Sequence, residues 1–336
     1  MHILVTGGLG FIGSNFILKI LNNYPSIKII NLDACLHGSN PLNLISLKNN
    51  DNYQFFKGNI TNQKILKKLI DKSDSIINFA AESFVDKSIL NAQPFFDSNV
   101  NGVFNILEII KNTDKKLIQI STDEVYGSLK NGSANESSCF NPSSPYSATK
   151  ASAELLINSY VKTYGTNCLI TRCTNNYGPR QFNEKLIPKV ILLASQNKKI
   201  PVYGNGTNIR DWLFVDDHCD AIFDVLNHGK IGDSYNISAG YEVDNLHIIK
   251  NILSLMNKSE NLINFVEDRP GHDFRYSMNS SKIRKKLNWK PKVDFELGLK
   301  NTIEWYLKNK EFSNSSIDYL NPTPWKSNLK KGVRSN

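Results

Sequence analysis

The chain opens with a short β-branched run, Ile3-Leu4-Val5-Thr6. It breaks into Gly7-Gly8-Leu9-Gly10-Phe11-Ile12-Gly13 and continues at helical spacing to Asn22. A strand that turns this tightly into a helix reaches its next strand by a crossover, so the two strands run parallel and helices cover the sheet's faces. The rest of the first half keeps that alternation. Residues 28–32, 53–57, 75–79, 117–121 and 168–172 form short strand-like runs. Between them, 65–70, 95–111 and 146–164 repeat their apolar residues at helical spacing. The pattern predicts an α/β protein with a doubly wound, Rossmann-like parallel sheet. Residues 210–215 and 216–227 are expected to return to that sheet as one more strand and helix.

After Arg172 the elements shorten, and turn signals such as Tyr203-Gly204-Asn205-Gly206 appear. We expect a dinucleotide-binding domain over 1–175 plus about 208–240. A smaller mixed α/β lobe is expected over 176–207 and 241–326, and a flexible basic tail over 327–336. A chain of 336 residues with 40% hydrophobic and 21% charged content is long enough for a large core.

The net charge of +9 comes from lysines scattered along the chain. A diffuse positive field suits anionic small molecules, and no finger, zipper or RNA-binding signature accompanies it, so nucleic acid is not an expected partner. Five cysteines without a Cys-x-x-Cys pair fit free thiols in a reducing compartment. No apolar run approaches the roughly 18 residues that span a bilayer, and the opening residues lack a signal-peptide pattern. A cytoplasmic protein with no membrane partner is expected.

Glycines at 7, 10 and 13 permit a tight turn, close approach of a pyrophosphate and close packing of helix on strand. The helix start then offers free N–H groups to the anion. The second strand ends in Asn31-Leu32-Asp33. An acid there can accept both hydroxyls of an adenosine ribose and would repel a 2′-phosphate, so NAD rather than NADP is expected. The alternative is that Asp33 caps the loop before Pro41.

Tyr146 and Lys150 lie one helical turn apart and can reach one face. A neighbouring ammonium would lower the phenol pKa from about 10 towards neutrality. The same spacing recurs at Tyr24/Lys28, Tyr53/Lys57, Tyr126/Lys130 and Tyr306/Lys310, so spacing alone decides nothing. Tyr146 is set apart by its place, following the Ser121-Thr122 strand end at a helix start announced by Pro142 and Pro145. Such positions line the cofactor crevice of a doubly wound sheet.

In the Gly7/Gly10/Gly13 turn, the Ser121-Thr122 strand end and Tyr146/Lys150, the chain resembles the extended short-chain dehydrogenase/reductase family. More narrowly, it is similar to the nucleotide-sugar 4,6-dehydratases of the dTDP-glucose or UDP-glucose type. The likeness runs from Met1 to about Trp305 through "FAAESFVDKSI", "STDEVYG", "NPSSPYSATKA", "NNYGPRQFNEKLIP", "RDWLFVDDH" and "RPGHDFRY". It implies that Tyr146 takes the proton of the sugar 4-hydroxyl while C4 gives hydride to NAD, with Lys150 on the nicotinamide ribose and Thr122 on the same hydroxyl. Glu124 would then remove the C5 proton and Asp123 would protonate the departing 6-hydroxyl. Hydride returns to C6, leaving a 4-keto-6-deoxy sugar.

That chemistry requires one of two adjacent carboxyls ionised and the other protonated, a pattern that burial can create. An epimerase does not require it. The resemblance also implies cofactor contacts at Gly7, Gly10, Phe11, Ile12, Gly13, Asp33, Asn59, Ile60, Ala80, Ala81 and Asn99, besides Tyr146 and Lys150. Substrate contacts are implied at Ser83, Asn176, Glu184, Lys185 and Leu186 for the sugar and diphosphate, and at Pro201 and Tyr203 for the base. Arg210, Asn245, Arg269 and His272 would hold the diphosphate and ribose. No metal is expected.

Three departures from the family pattern stand out. Asn59 replaces an Asp facing the adenine, Phe84 replaces a His, and Ala34-Cys35 replaces a Lys-containing dipeptide. A homodimer through 95–111 and 146–164 is expected. The alternatives are a UDP-sugar 4-epimerase or decarboxylase on the same scaffold, or a catalytically silent NAD-binding regulatory protein.

Overall fold

The computed structural model describes residues 1–314; the expected tail at 327–336 and the last part of the expected lobe lie outside them. The first half runs β1 (His2–Thr6), α1 (Phe11–Asn23), β2 (Lys28–Asp33), β3 (Tyr53–Lys57), α2 (Gln63–Asp71), β4 (Ser75–Asn78) and α3 (Val85–Leu90). It continues through α4 (Gln93–Phe96), a π turn (Asp97–Asn101), α5 (Gly102–Ile110), β5 (Lys116–Thr122), α6 (Pro145–Tyr164) and β6 (Cys168–Cys173). The second half runs β7 (Asn175–Tyr177), α7 (Leu186–Ser195), β8 (Ile200–Tyr203), β9 (Ile209–Phe214), α8 (Val215–His228) and β10 (Ser234–Ile237). After these come β11 (Glu242–Asp244), α9 (Asn245–Leu255), β12 (Ile263–Val266), α10 (Ser281–Leu287), α11 (Phe295–Lys308) and α12 (Lys310–Asn314).

Seven parallel strands form the main sheet in the order β10-β6-β5-β4-β1-β2-β3. The order reverses between β1 and β4, so the crevice at their carboxyl ends is where a doubly wound sheet takes its ligand. Strands β4 and β6 are buried along their whole length, as a parallel sheet covered on both faces requires. One face packs Ile3, Val5, Phe16, Ile17, Ile222 and Val225 under α1 and α8; the other packs Leu4, Leu66, Leu69, Ile106, Leu107 and Ile157 under α2, α5 and α6. Each such fully buried aliphatic side chain contributes about 1.5–3 kcal/mol.

Two expectations are corrected here. The run at 210–215 does not return to the main sheet: β9 pairs with β11 and β7 in a separate three-stranded sheet. The chain leaves the main sheet after β6, and β7 diverges with its Asn176 opposite Leu213 of β9. The seventh main-sheet strand is instead β10, whose sequence Ser-Tyr-Asn-Ile is too short and polar to announce itself. Helix α8 does pack back onto the main sheet, against α1. The helical run expected over 95–111 is interrupted by the π turn, an insertion common beside functional sites.

The lobe has its own core. Tyr177, Trp212, Phe214 and Phe295 cluster there with the apolar faces of α7, α9 and α11. A two-stranded sheet, β12-β8, closes its far edge.

Candidate active site

A cleft of about 1540 Å³, its open mouth included, runs along the carboxyl ends of the main strands. At one end, Gly7 holds φ at +71°, and a Cβ there would lie 2.6 Å from the Ala80 nitrogen. A Cβ on Gly13 would lie 2.7 Å from the Gly7 carbonyl. These contacts leave room for no other residue. Gly10 is the N-cap of α1 and brings no side chain to it, which leaves the first-turn N–H groups facing the cleft for an anion.

Gly7, Gly10, Phe11, Ile12, Gly13, Asp33, Asn59, Ile60, Ala80 and Ala81 all line this end. The buried Asp33 carboxylate accepts from Leu9 N (2.9 Å), Cys35 N (2.8 Å) and Ser39 Oγ (2.8 Å). It therefore ties the following loop and still retains part of its acceptor capacity. The Asn59 side-chain oxygen accepts from Thr61 N at 3.0 Å. Asn99 stands behind the wall: it bonds both main-chain groups of Glu82 and the Thr149 hydroxyl, reaching them from the π turn.

The strand β5 ends at Thr122, whose hydroxyl accepts from Glu124 N (3.3 Å) and so caps a 3-10 turn over Asp123–Tyr126. The two acids are therefore not a solvated turn. Asp123 is 4% exposed, and its Oδ2 is buried with no hydrogen-bond partner. Burial, with the Glu124 charge adding, pushes the Asp123 carboxyl up to about 8. Burial also holds Glu124 above its ordinary value, with the charges of Arg269, Arg210 and Lys185 opposing part of that rise. The environment thus separates two neighbours, holding one protonated at neutral pH and surrounding the other with cations.

Helix α6 begins with a capping box at Ser144 and Pro145, which sets Tyr146 at the cleft. Burial holds the Tyr146 phenol well above its ordinary value, Glu124 adds to that, and a hydrogen bond with Thr122 opposes it. The sequence led us to expect the Lys150 ammonium to lower this phenol. Instead, Lys150 Nζ donates to the Ile120 carbonyl at 2.6 Å, and burial brings the ammonium down to about 8. The same carbonyl takes Gln119 Nε2, and the chain continues through Asn78 to Thr6 as a buried polar ladder beneath the cleft.

Behind Thr122, Asp123 and Tyr146, Ser121 Oγ donates to Glu154 Oε1 (2.5 Å) and Arg172 Nη2 to Glu154 Oε2 (2.6 Å). Arg172 Nη1 also donates to the Tyr126 hydroxyl (2.6 Å). This buried pair fastens β5, α6 and the acid-bearing turn to β6.

On the opposite wall, Ser83, Asn176 and Lys185 line the cleft, and Lys185 Nζ donates to the Ser83 carbonyl at 2.9 Å. Glu184 and Leu186 are not on its lining. Glu184 faces His37 at 3.1 Å, and Leu186 packs on the lobe core. Beyond Glu124 a second cluster forms. Arg269 pairs with Asp86 (3.2 Å), Tyr203 reaches the same carboxylate (3.5 Å), and the His272 ring lies 6.4 Å from that of Tyr203. Arg210 stacks 4.2 Å over Tyr276 and donates to the Asp273 carbonyl, which also takes Asn208 Nδ2. Asn245 N joins this cluster through the Asn208 carbonyl (3.1 Å), while Pro201 sits half-buried on β8. His272 pairs with Asp268 at 2.6 Å and is held down to about 4 by burial and Arg269.

Several participants carry no signal in the sequence. His218, fully buried and held down to about 3, pairs its Nδ1 with Asn176 Oδ1 at 2.9 Å. It stands in "RDWLFVDDH", where only the tertiary contact shows its partner. Asp86, His37 and Phe182 are likewise identified by contact alone. Among the described residues no group of His, Cys, Asp and Glu is arranged to hold a metal ion, and no helix is long and apolar enough to cross a membrane.

The model of the GDP-mannose 4,6-dehydratase family matches residues 4–302. The chain belongs to this family. Among its relatives, the low-salt glycan biosynthesis protein Agl12 of Haloferax volcanii is 45% identical over 93% of this chain and 100% of its own length. The dTDP-glucose 4,6-dehydratase of Haemophilus influenzae is 42% identical over 93% of this chain and all of its own. Among solved structures, the dTDP-glucose 4,6-dehydratase of Bacillus anthracis in complex with NAD is 46% identical, covers 93% of this chain and 98% of its own, and superposes with a TM-score of 0.87. Family membership thus spans both the cofactor end and the second cluster. Of the family-pattern departures, Ala34, Asn59 and Phe84 all lie on the cleft lining, so they alter its surface and not its framework.

Proposed function

We propose that this chain dehydrates a nucleoside-diphosphate glucose, dTDP-glucose first among candidates, to the 4-keto-6-deoxy sugar with NAD as cofactor. The observation that carries the reading is the pair of adjacent acids beside Tyr146, Asp123 buried and Glu124 half-buried, with burial pushing the Asp123 carboxyl up to about 8. The glycine turn, the open helix start and Asp33 fit the dinucleotide, and when bound NAD supplies a reversible hydride acceptor.

Burial and Glu124 raise the Tyr146 phenol; the positive charge of a bound nicotinamide would oppose that rise, and Tyr146 would then take the proton of the 4-hydroxyl at its phenolic oxygen, with Thr122 hydrogen-bonded beside it. Lys150 would hold the nicotinamide ribose and Asn59 the adenine end. Oxidation at C4 acidifies the C5 proton, which the Glu124 carboxylate accepts, and Asp123 donates its carboxyl proton to the departing 6-hydroxyl. The C–O bond breaks, water leaves, and hydride returned at C6 with a proton at C5 completes the product. Arg210, Arg269 and Lys185 supply the cationic end for a diphosphate, with guanidinium forks suited to its oxygens. The main-sheet half would thus serve the cofactor and the lobe the nucleotide sugar.

The dimer reading rests on Phe96 (48% exposed), Phe104 (40%) and Leu155 (60%), which leave an apolar outer face along the π-interrupted helix and α6. We infer that a second copy covers it, which sedimentation will test. Five unpaired cysteines accord with a reducing cytoplasm. The enzyme reading is tested by incubation with dTDP-glucose and UDP-glucose, following the keto sugar by its absorbance in alkali. A product epimerised at C4, or no keto sugar from either nucleotide, would overturn it.

A further inference from the structure

Three loops from different strands meet over the middle of the cleft. The loop after β2 brings His37, the segment after β4 brings Phe84, and the segment after β7 brings Phe182. Their rings contact edge to face at centroid distances of 4.6, 4.8 and 5.6 Å. All three residues line the cleft. His37 Nε2 also lies 3.1 Å from Glu184 Oε2, in the segment that carries Gln181, Phe182 and Lys185. The hydrogen bond from His37 and the charges of His37, Lys87 and Lys189 hold Glu184 ionised against its burial. An ionised carboxylate only accepts, so Nε2 carries the proton and donates.

The His37 loop is the one that Asp33 anchors, through Cys35 N on one side of His37 and Ser39 Oγ on the other. The Glu184 segment ends in Lys185, which lies in the field of the Glu124 carboxylate and reaches Ser83. The His37–Glu184 contact hydrogen-bonds these two loops directly across the cleft. A displaced Glu184 would carry the adjoining Lys185 with it.

We propose that His37 is a positioning residue for the dehydration: it holds Glu184, and through it the segment 181–185, in register with the cofactor-side loop. The cofactor-side loop thereby sets where the sugar-side wall sits. The inference rests on the dehydratase reading and deepens it, because it names what sets the sugar-side wall relative to Asp123 and Glu124. His37 itself touches no reacting atom in this role. Its loss therefore falls on sugar recognition and not on retention of NAD.

The test is a set of four variants, His37→Phe, His37→Gln, Glu184→Ala and the double His37→Phe/Glu184→Ala. They are assayed for kcat and KM with dTDP-glucose, for NAD retained through gel filtration, and for dTDP-glucose affinity by calorimetry. H37F keeps the ring packing and removes the donor. It should lose roughly tenfold or more in kcat/KM, the scale of a hydrogen bond to a charged group, with NAD content unchanged. H37Q keeps a donor and should recover most of that loss. The double variant should be no worse than E184A alone.

Wild-type kinetics in H37F, full multiplication of the two single effects, or failure of H37Q to recover would each overturn the proposal. Wild-type protein that binds dTDP-glucose without dehydrating it would sink the functional reading instead, and the calorimetric cycle would still decide the coupling. Should H37F fold poorly, His37→Ala and the double His37→Ala/Glu184→Ala give the same cycle.

Discussion

Replacing Asp123 with Asn separates what the site does for chemistry from what it costs the fold. Asp123 is nearly inaccessible, its Oδ2 has no partner, and its carboxyl sits at about 8 against an ordinary value of 3.8. Below pH 3.8 the group is protonated in both the folded and unfolded chain and has no differential effect. As pH rises, the unfolded chain ionises first, so wild type loses stability progressively until the folded group ionises near pH 8.

Each pH unit of that window is about 1.4 kcal/mol, which sets an upper bound on the order of 5 kcal/mol at pH 8. Asn keeps the shape but leaves its own amide unpartnered, costing about 1–3 kcal/mol. A net gain of about 3 kcal/mol, or roughly 5 °C in Tm, is expected for D123N at pH 8. It should shrink towards zero or change sign near pH 4–5. Turnover should fall by about 10²–10⁴, the usual contribution of a general acid. Melting followed by calorimetry across pH 4–9, alongside the keto-sugar assay, checks both. A Tm difference that stays flat with pH, or grows towards acid, would refute the claim that Asp123 is buried as a neutral acid.

Glu154→Ala leaves the Arg172 guanidinium, 2% exposed, buried without its carboxylate; chemical denaturation should show about 3–5 kcal/mol lost. Gly13→Ala drives a Cβ to 2.7 Å from the Gly7 carbonyl, so the purified variant should lose bound NAD while melting as a folded protein. Lys150→Met removes the ammonium held by the Ile120 carbonyl, and single-turnover oxidation at C4 should slow by at least about 10²-fold with little change in sugar affinity.

The local features of this protein could be read in its sequence. The Gly7–Gly13 turn, the alternation of runs and the placement of Tyr146 after β5 depend on spacing within one or two elements, and the structure has them where spacing put them. What failed depends on which surfaces meet. The apolar run of β9 does not state which sheet it joins, and it pairs with β7 and β11 because the chain has already left the main sheet. The phenol and ammonium of Tyr146 and Lys150 share a helix face, yet a main-chain carbonyl of β5 claims the ammonium. His37, Asp86 and His218 each find partners more than 40 residues away, which no periodicity encodes. Glu154, one turn beyond Lys150, was within reach of the same spacing argument, but its meaning depends on Arg172 arriving from β6.

The central claim is that hydrogen moves from C4 to C6 of one hexose while Asp123 and Glu124 eliminate water between C5 and C6. Turnover of dTDP-glucose deuterated at C4, with the product examined by NMR and mass spectrometry, measures this directly. The account expects deuterium in the C6 methyl group of a 4-keto product and none left at C4. Deuterium retained at C4, in a sugar that still carries its 6-hydroxyl, would contradict it.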